Sequence, residues 1–190
     1  MGYAVSEWRW KIGEAVERIR TRYDHIGRKT GAPFLAILYP PELEMAVLRE
    51  WRSQVAGLSP DFDVRTVDVL SVTHGALQDL GAENVVEALA SPMPGSDPVV
   101  ELGHHWVDAV ARRVREPFEA PSGRPIVSVE GIAALYPVAG PRDVMQQLWD
   151  SSQSALDGRV VVLIPGSVRG PRTYSFLDLR NEFMYRGDML

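Results

Sequence analysis

The sequence contains no cysteine, which excludes a thiol nucleophile and fits a protein that stays outside oxidising compartments. It also lacks a long apolar run, since no stretch approaches the roughly 20 residues that cross a bilayer. Residues 1–8 lack the basic and then apolar order of a secretory signal. These absences predict a soluble, cytoplasmic protein without membrane association.

Lysine is scarce as well, because it occurs only at Lys11 and Lys29 and arginine supplies the remaining cations. The formal net charge is −5. General affinity for nucleic acid depends on neutralising phosphates with cationic side chains. We therefore expect no direct DNA binding, although a local basic patch stays compatible with this charge.

Familiar catalytic motifs are missing. No Gly-x-x-x-x-Gly-Lys-Ser/Thr loop follows a predicted strand, and no Gly-x-Ser-x-Gly elbow occurs, since Ser167 directly follows its glycine. Two His/carboxylate pairs have the i, i+4 spacing that could bring metal ligands to one helix face, Glu101 with His105 and His104 with Asp108. Ordinary helix-surface contacts are the simpler interpretation of these pairs. The sequence predicts a protein with no catalytic residues, no metal and no cofactor.

What the sequence does contain is an alternation of apolar strand patterns and amphipathic helix patterns over 190 residues, a length that suits one domain. This alternation predicts an α/β protein, a three-layer sandwich whose mostly parallel central sheet of about four to five strands is flanked by helices. An amphipathic helix at about 3–24 is expected to pack on this single domain.

Strands are expected at 33–39, 63–70, 126–130 and 160–164, the second of them nearer an edge because its apolar residues alternate with polar ones. Further helices are expected at 41–57, 73–80, 82–89, 99–115 and 141–156, with Ala155 on the inner face of the last. Residues 91–98 are predicted to form a turn-rich loop, and residues 131–138 to leave the sheet.

The most informative stretch is the β-branched run Val160 to Ile164, which is typical of a strand buried on both faces. We expect this strand to stop at Pro165 and Gly166 and to open into a loop with two arginines. Loops at such strand ends bind ligands in open α/β sheets. The candidate anion or partner contacts in this loop are Gly166, Ser167, Arg169 and Arg172. A structural turn with solvated or partner-facing arginines is the alternative.

The C-terminal tail combines aromatic residues with arginine, a mixture that is enriched in protein interfaces. We expect 174–179 to form a short helix or an extended segment, and 183–185 a last short strand. Two interpretations stay open, since these residues could pack in the core or anchor an interface. The candidate interface residues are Tyr174, Phe176, Phe183, Tyr185 and Arg186.

Several of these features, in this order, resemble one family. They are 34–39 running into Pro40, Pro41 and Glu42, a middle helical region, the segment 131–137, the apolar strand ending at Pro165 and Gly166, and Tyr185-Arg186 before a final Leu190. Over roughly 33–190 the chain is similar to the BrxB family of the bacteriophage exclusion (BREX) systems. It departs from the family in its less aromatic tail and its more arginine-rich segment 167–174, which suits a divergent branch.

The resemblance implies a non-catalytic accessory or adaptor subunit that supports host DNA methylation and phage restriction. The implied partners are the phosphatase-like protein PglZ, the methyltransferase PglX and the ATPase BrxC of such systems. The family supplies no catalytic residue to assign here. The alternative function is a degenerate nucleotide-binding regulatory module that senses phosphate through Arg169 and Arg172.

Overall fold

The computed structural model describes residues 2–121, 123–150, 156–184 and 186–190. Its helices are α1 (Gly2–Arg22), α2 (Glu44–Val55), α3 (Val69–Leu80), α4 (Ala82–Ala90), α5 (Pro98–Glu119) and α6 (Pro141–Asp150). Its strands are β1 (Phe34–Tyr39), β2 (Phe62–Asp68), β3 (Arg124–Glu130), β4 (Arg159–Gly170), β5 (Thr173–Phe176), β6 (Arg180–Phe183) and β7 (Asp188–Met189). Short 3-10 helices lie at Tyr23–His25, Pro41–Leu43, Ala56–Leu58 and Ile132–Leu135.

The strands form one sheet in the order β2-β3-β4-β1-β7, and each neighbouring pair in this row is parallel. β1 and β4 form the central pair, with Phe34 opposite Val160 and Tyr39 opposite Pro165. β5 and β6 extend the far end of β4 as antiparallel strands. The predicted α/β class and parallel central sheet are confirmed, and so is the edge position of the second strand.

Helices cover both faces of this sheet because successive side chains of a buried strand point to opposite sides. Leu35 and Ile37 of β1 pack with α1 and α2, including Trp51. Ala36 and Leu38 pack with α3, α5 and α6 and with the buried aromatic residues of β5. The continuous apolar sequence of β1 and β4 thus follows from burial on two sides.

The prediction that the valine-rich strand stops at Pro165 and Gly166 is wrong. β4 continues to Gly170 and pairs with β5, so Gly166 lies opposite Phe176 inside an antiparallel ladder. The chain bends here without losing its hydrogen bonds, since Leu177 N–H donates to Pro165 O at 2.8 Å. The expected exit loop is therefore one strand of a hairpin.

The tail agrees with its prediction only in part, since 174–176 are extended as one of the two expected forms, whereas the strand expected at 183–185 lies earlier. Residues 173–176 are extended, β6 lies at 180–183, and the last strand, β7, follows at 188–189 and pairs with β1. The predicted helix at 141–156 is described as far as Asp150. Residues 151–155, which include Ala155, and the candidate Tyr185 lie outside the described residues.

Candidate functional site

The candidate loop residues lie on the β4-β5 hairpin, where two of them contact the same carboxylate. Ser167 Oγ donates to Asp178 Oδ1 at 2.5 Å, and Arg169 lies 3.7 Å from the same oxygen. Arg172 donates instead to Met184 O at 3.2 Å. Arg169 and Arg172, the two arginines of the phosphate-sensing alternative, therefore contact different groups at this hairpin.

Two of the candidate interface residues are buried. Tyr174 and Phe176 have no exposed surface and belong to the core cluster between the sheet and α6. The core interpretation therefore applies to these two residues, because their side chains are inaccessible to a partner. Phe183 is 39% exposed and Arg186 is exposed, so both are accessible.

The accessible tail residues line one cavity of about 720 Å³, which we call the tail cavity. It lies between α6, the C-terminal segment and the residues that precede β1. Its described lining residues are Lys29, Thr30, Phe34, Arg142, Met145, Gln146, Trp149, Asp150, Arg172, Phe183, Met184 and Arg186. The structure thus brings Arg172, Phe183 and Arg186 together, while Gly166, Ser167 and Arg169 lie outside this lining.

A buried carboxylate fixes the walls of the tail cavity relative to each other. Glu182 of β6 accepts hydrogen bonds from Arg142 N–H at 3.0 Å and from Tyr174 Oη at 2.6 Å. Arg180 donates to the same carboxylate from Nε at 2.9 Å. A negative charge near a helix N-terminus is favourable, and α6 begins at Pro141. Burial, together with Glu182, raises the pKa of Tyr174, so its hydroxyl stays a proton donor.

One cationic side chain of the tail cavity, Arg186, contacts both a backbone carbonyl and an aromatic ring. Arg186 Nη1 donates to Thr30 O at 3.2 Å, and its guanidinium carbon lies 4.3 Å from the centre of the Trp149 ring. Gly187 N–H donates to Thr30 Oγ1 at 2.6 Å, which ties the tail to the segment before β1. The guanidinium is thereby ordered beside an aromatic face, an arrangement suited to binding a planar or anionic group.

The carboxyl ends of the parallel strands, where open α/β sheets often bind ligands, carry a second polar network. Glu130, at the end of β3, is 1% exposed and accepts from Arg52 Nε at 2.7 Å. Trp51 Nε1 donates to Ser128 Oγ at 2.8 Å, and Ser128 Oγ donates to Glu130 at 3.2 Å. These groups satisfy one another, so the network joins α2 to β3.

Tyr39 ends β1 at the same edge of the sheet. Its hydroxyl donates to Glu44 Oε1 at 3.3 Å. Burial and the neighbouring Glu44 raise the pKa of Tyr39. The hydroxyl therefore stays protonated in the folded protein, as a donor rather than a base.

Removing Arg52 tests whether this network stabilises the fold. We expect Arg52→Ala to lower the free energy of unfolding by about 2 kcal/mol, because it leaves the buried Glu130 carboxylate without its cation. Urea unfolding followed by circular dichroism measures the change. Arg49→Ala, an exposed arginine of the same helix, should change stability by less than about 0.5 kcal/mol. Equal losses in both variants would contradict a specific role for Arg52.

Helix α4 forms an apolar surface that lies outside the core. All nine of its residues are described and none is buried, and only Val85 is partly buried. Val86 is 65% exposed and Leu89 is 42% exposed. Ala82, Val86 and Ala90 line one shallow groove on this helix. We call the exposed residues of α4 the α4 surface; exposed Met93, Val99 and Val100 follow it in the chain.

The metal interpretation gains no support from the described part of the chain, where no group of three or more His, Asp or Glu side chains could hold an ion. Asp108, one of the paired carboxylates, accepts from Gln147 Nε2 at 2.6 Å. None of the described helices is both long enough and apolar enough to cross a membrane.

Sequence reasoning missed Lys29, Arg142 and Trp149 as residues of the tail cavity. They come from segments far apart in the chain, and only the apolar face of α6 gave a signal that could have placed Trp149 near the sheet. It also missed the α4 surface, since a helical period shows which side is apolar and not whether that side is covered. No protein-family model, curated protein or solved structure matches this chain.

Proposed function

We propose that this protein is a non-catalytic accessory subunit of a BREX phage-defence system, and that it acts in the cytoplasm by binding partner proteins. It supports host DNA methylation and phage restriction as an adaptor for the PglZ-like, PglX-like or BrxC-like subunits. The order of its sequence features, which resembles that of the BrxB family, supports the choice of system.

The observation that carries the adaptor role is the α4 surface. A helix of nine residues is shorter than the roughly 12–15 residues at which isolated helices become even marginally stable in water. Helices of this length usually gain stability by burying an apolar face against other elements. α4 leaves Val86 and Leu89 exposed. Covering them with a partner protein would remove apolar area from water, the main favourable contribution in most protein association.

The remaining geometry is compatible with this role. The polar side chains at the carboxyl ends of β1 and β3 hydrogen-bond to α2, Tyr39 to Glu44 and Glu130 to Arg52, so α2 is joined to the sheet at both strands. Such a network favours a rigid scaffold. A rigid scaffold presents a binding surface with little loss of conformational entropy on association.

Binding to the co-encoded proteins tests the proposal. The chain is purified and titrated separately against the PglZ-like, PglX-like and BrxC-like proteins of its own system by biolayer interferometry. We expect one of them to bind at micromolar concentration. Val86→Glu should weaken that binding at least about tenfold, because it places a charge where an apolar contact is buried.

The matched control is Met45→Glu on α2, since Met45 is another exposed apolar residue of a helix. It should leave the affinity unchanged, and both variants should keep the melting temperature of the original protein. The proposal fails if none of the three proteins binds. The α4 surface is the wrong site if Val86→Glu binds as tightly as Met45→Glu.

A further inference from the structure

The tail cavity has the size of a small-molecule site. Its volume of about 720 Å³ lies within the range of about 300–1,000 Å³ that is common for ligand pockets. One wall is the length of α6 from Arg142 to Trp149, and the opposite wall includes Phe183 and Met184. The Glu182 hydrogen bonds to Arg142 N–H and Tyr174 hold these walls together without a ligand.

The charge of the tail cavity is opposite to that of the whole protein. Its described lining has four cationic side chains, Lys29, Arg142, Arg172 and Arg186, and one carboxylate, Asp150. The formal net charge of the chain is −5. A cleft lined by one sign of charge concentrates ligands of the opposite sign. The cavity therefore favours an anion, and guanidinium groups suit phosphate oxygens because they donate two parallel hydrogen bonds.

Inorganic phosphate would contact only the cationic residues of this cavity and would leave its apolar residues without a ligand group to contact. The lining also includes Phe34, Met145 and Met184, and the accessible aromatic ring of Phe183. The guanidinium carbon of Arg186 lies 4.3 Å from the centre of the Trp149 ring, so a cation and an aromatic face adjoin in this lining. A ligand that uses both parts carries an anionic group at one end and a planar ring at the other.

We propose that the tail cavity binds a nucleoside phosphate. The phosphates lie against Arg172, Arg186 and Lys29, and the base packs on Phe183 and the neighbouring apolar wall. The described lining of this site shares no residue with the α4 surface. It therefore goes beyond the adaptor role, and either proposal can fail without the other.

Titration calorimetry and thermal unfolding with ATP and ADP test the site. We expect saturable binding to the full chain and a melting temperature several degrees higher at saturation. Arg186→Gln should weaken binding at least about tenfold, as expected for a charge-assisted hydrogen bond. Lys29→Gln should weaken it about threefold, because the exposed Lys29 ammonium remains screened by water.

Arg20→Gln, on the exposed side of α1, is the control and should leave affinity unchanged. Lys29→Gln changes an exposed side chain and should leave the fold intact. It therefore still tests the site if Arg186→Gln unfolds the tail. Three results would overturn the proposal: no binding of either nucleotide, equal affinity for inorganic pyrophosphate, or binding restricted to a single-stranded oligonucleotide of about ten residues. The last two would indicate a bare anion site and a nucleic-acid contact.

Discussion

Replacing Gly166 with alanine is expected to lower the free energy of unfolding by about 3 kcal/mol. Gly166 has a φ of +153°, a conformation that side chains with a Cβ rarely adopt. A Cβ atom built there would lie 2.0 Å from the backbone oxygen of Ser175. The neighbouring strand cannot move away easily, because Leu177 N–H donates to Pro165 O on one side of this contact and the β4-β5 ladder continues on the other.

Urea unfolding followed by tryptophan fluorescence measures this loss, which is a large fraction of the about 5–15 kcal/mol that stabilises a typical domain. Gly170→Ala is the matched control in the same hairpin, since its Cβ would meet only Thr173 at 3.9 Å. It should change stability by less than about 0.5 kcal/mol. A Gly166→Ala variant as stable as the Gly170→Ala variant would show that the bend tolerates a side chain.

Raising the pH from about 8 to about 11 is expected to destabilise the protein by about 3 kcal/mol through Tyr39 and Tyr174 alone. Burial raises the pKa of both hydroxyls above the ordinary value of 10.0, and the neighbouring Glu44 and Glu182 add to this effect. Above about pH 10 the unfolded chain loses these protons while the folded protein keeps them. The unfolded state then binds fewer protons, so stability is complete below this pH and falls as pH rises through it. Burial also raises the pKa of Tyr23, which adds in the same direction.

Urea unfolding at several pH values, together with the near-ultraviolet absorbance of tyrosinate, measures this dependence. Tyr39→Phe and Tyr174→Phe should each remove about half of the stability loss expected at high pH. Each also removes one hydrogen bond at neutral pH. Stability that stays constant up to about pH 11 would contradict the burial of both hydroxyls.

The central strands could be predicted because their sequence is simple. β1 and β4 are buried on both faces, and this burial demands an unbroken apolar run. β2 lies at an edge, and its mixture of buried, partly buried and exposed residues appears in the sequence as alternation. In these strands the local sequence pattern agrees with the position in the sheet, so the sequence is sufficient to predict them.

The continuation of β4 into the hairpin could not be predicted from the sequence. Pro165 and Gly166 are the residues that normally end a strand, yet here the backbone bends and continues into a second ladder. Whether a chain stops or bends at such a pair depends on what packs beyond it. Tyr174 and Phe176 fill the core on that side, and their burial is a property of the assembled fold.

The residues of the tail cavity could also be predicted only in part from the sequence. Arg172 was noticeable in the sequence because it follows the valine-rich strand, and Arg186 because it follows aromatic residues. Lys29 and Arg142 were not, because only the pairing of β7 with β1 and the packing of β6 on α6 bring them near the tail. A site built from three distant segments leaves no local pattern to find.

One continuous strand, Arg159–Gly170, runs from the centre of the sheet into the hairpin that precedes Arg172. A swinging motion of the hairpin would have to break main-chain pairing beside Gly166, since β4 pairs with β1 as far as Pro165 and with β5 from Gly166 onward. Hydrogen exchange should therefore protect 160–168 and 174–176 to a similar extent, as one cooperative unit. Because this backbone is paired, small molecules would enter the tail cavity by rotation of side chains such as Phe183, without opening of the backbone.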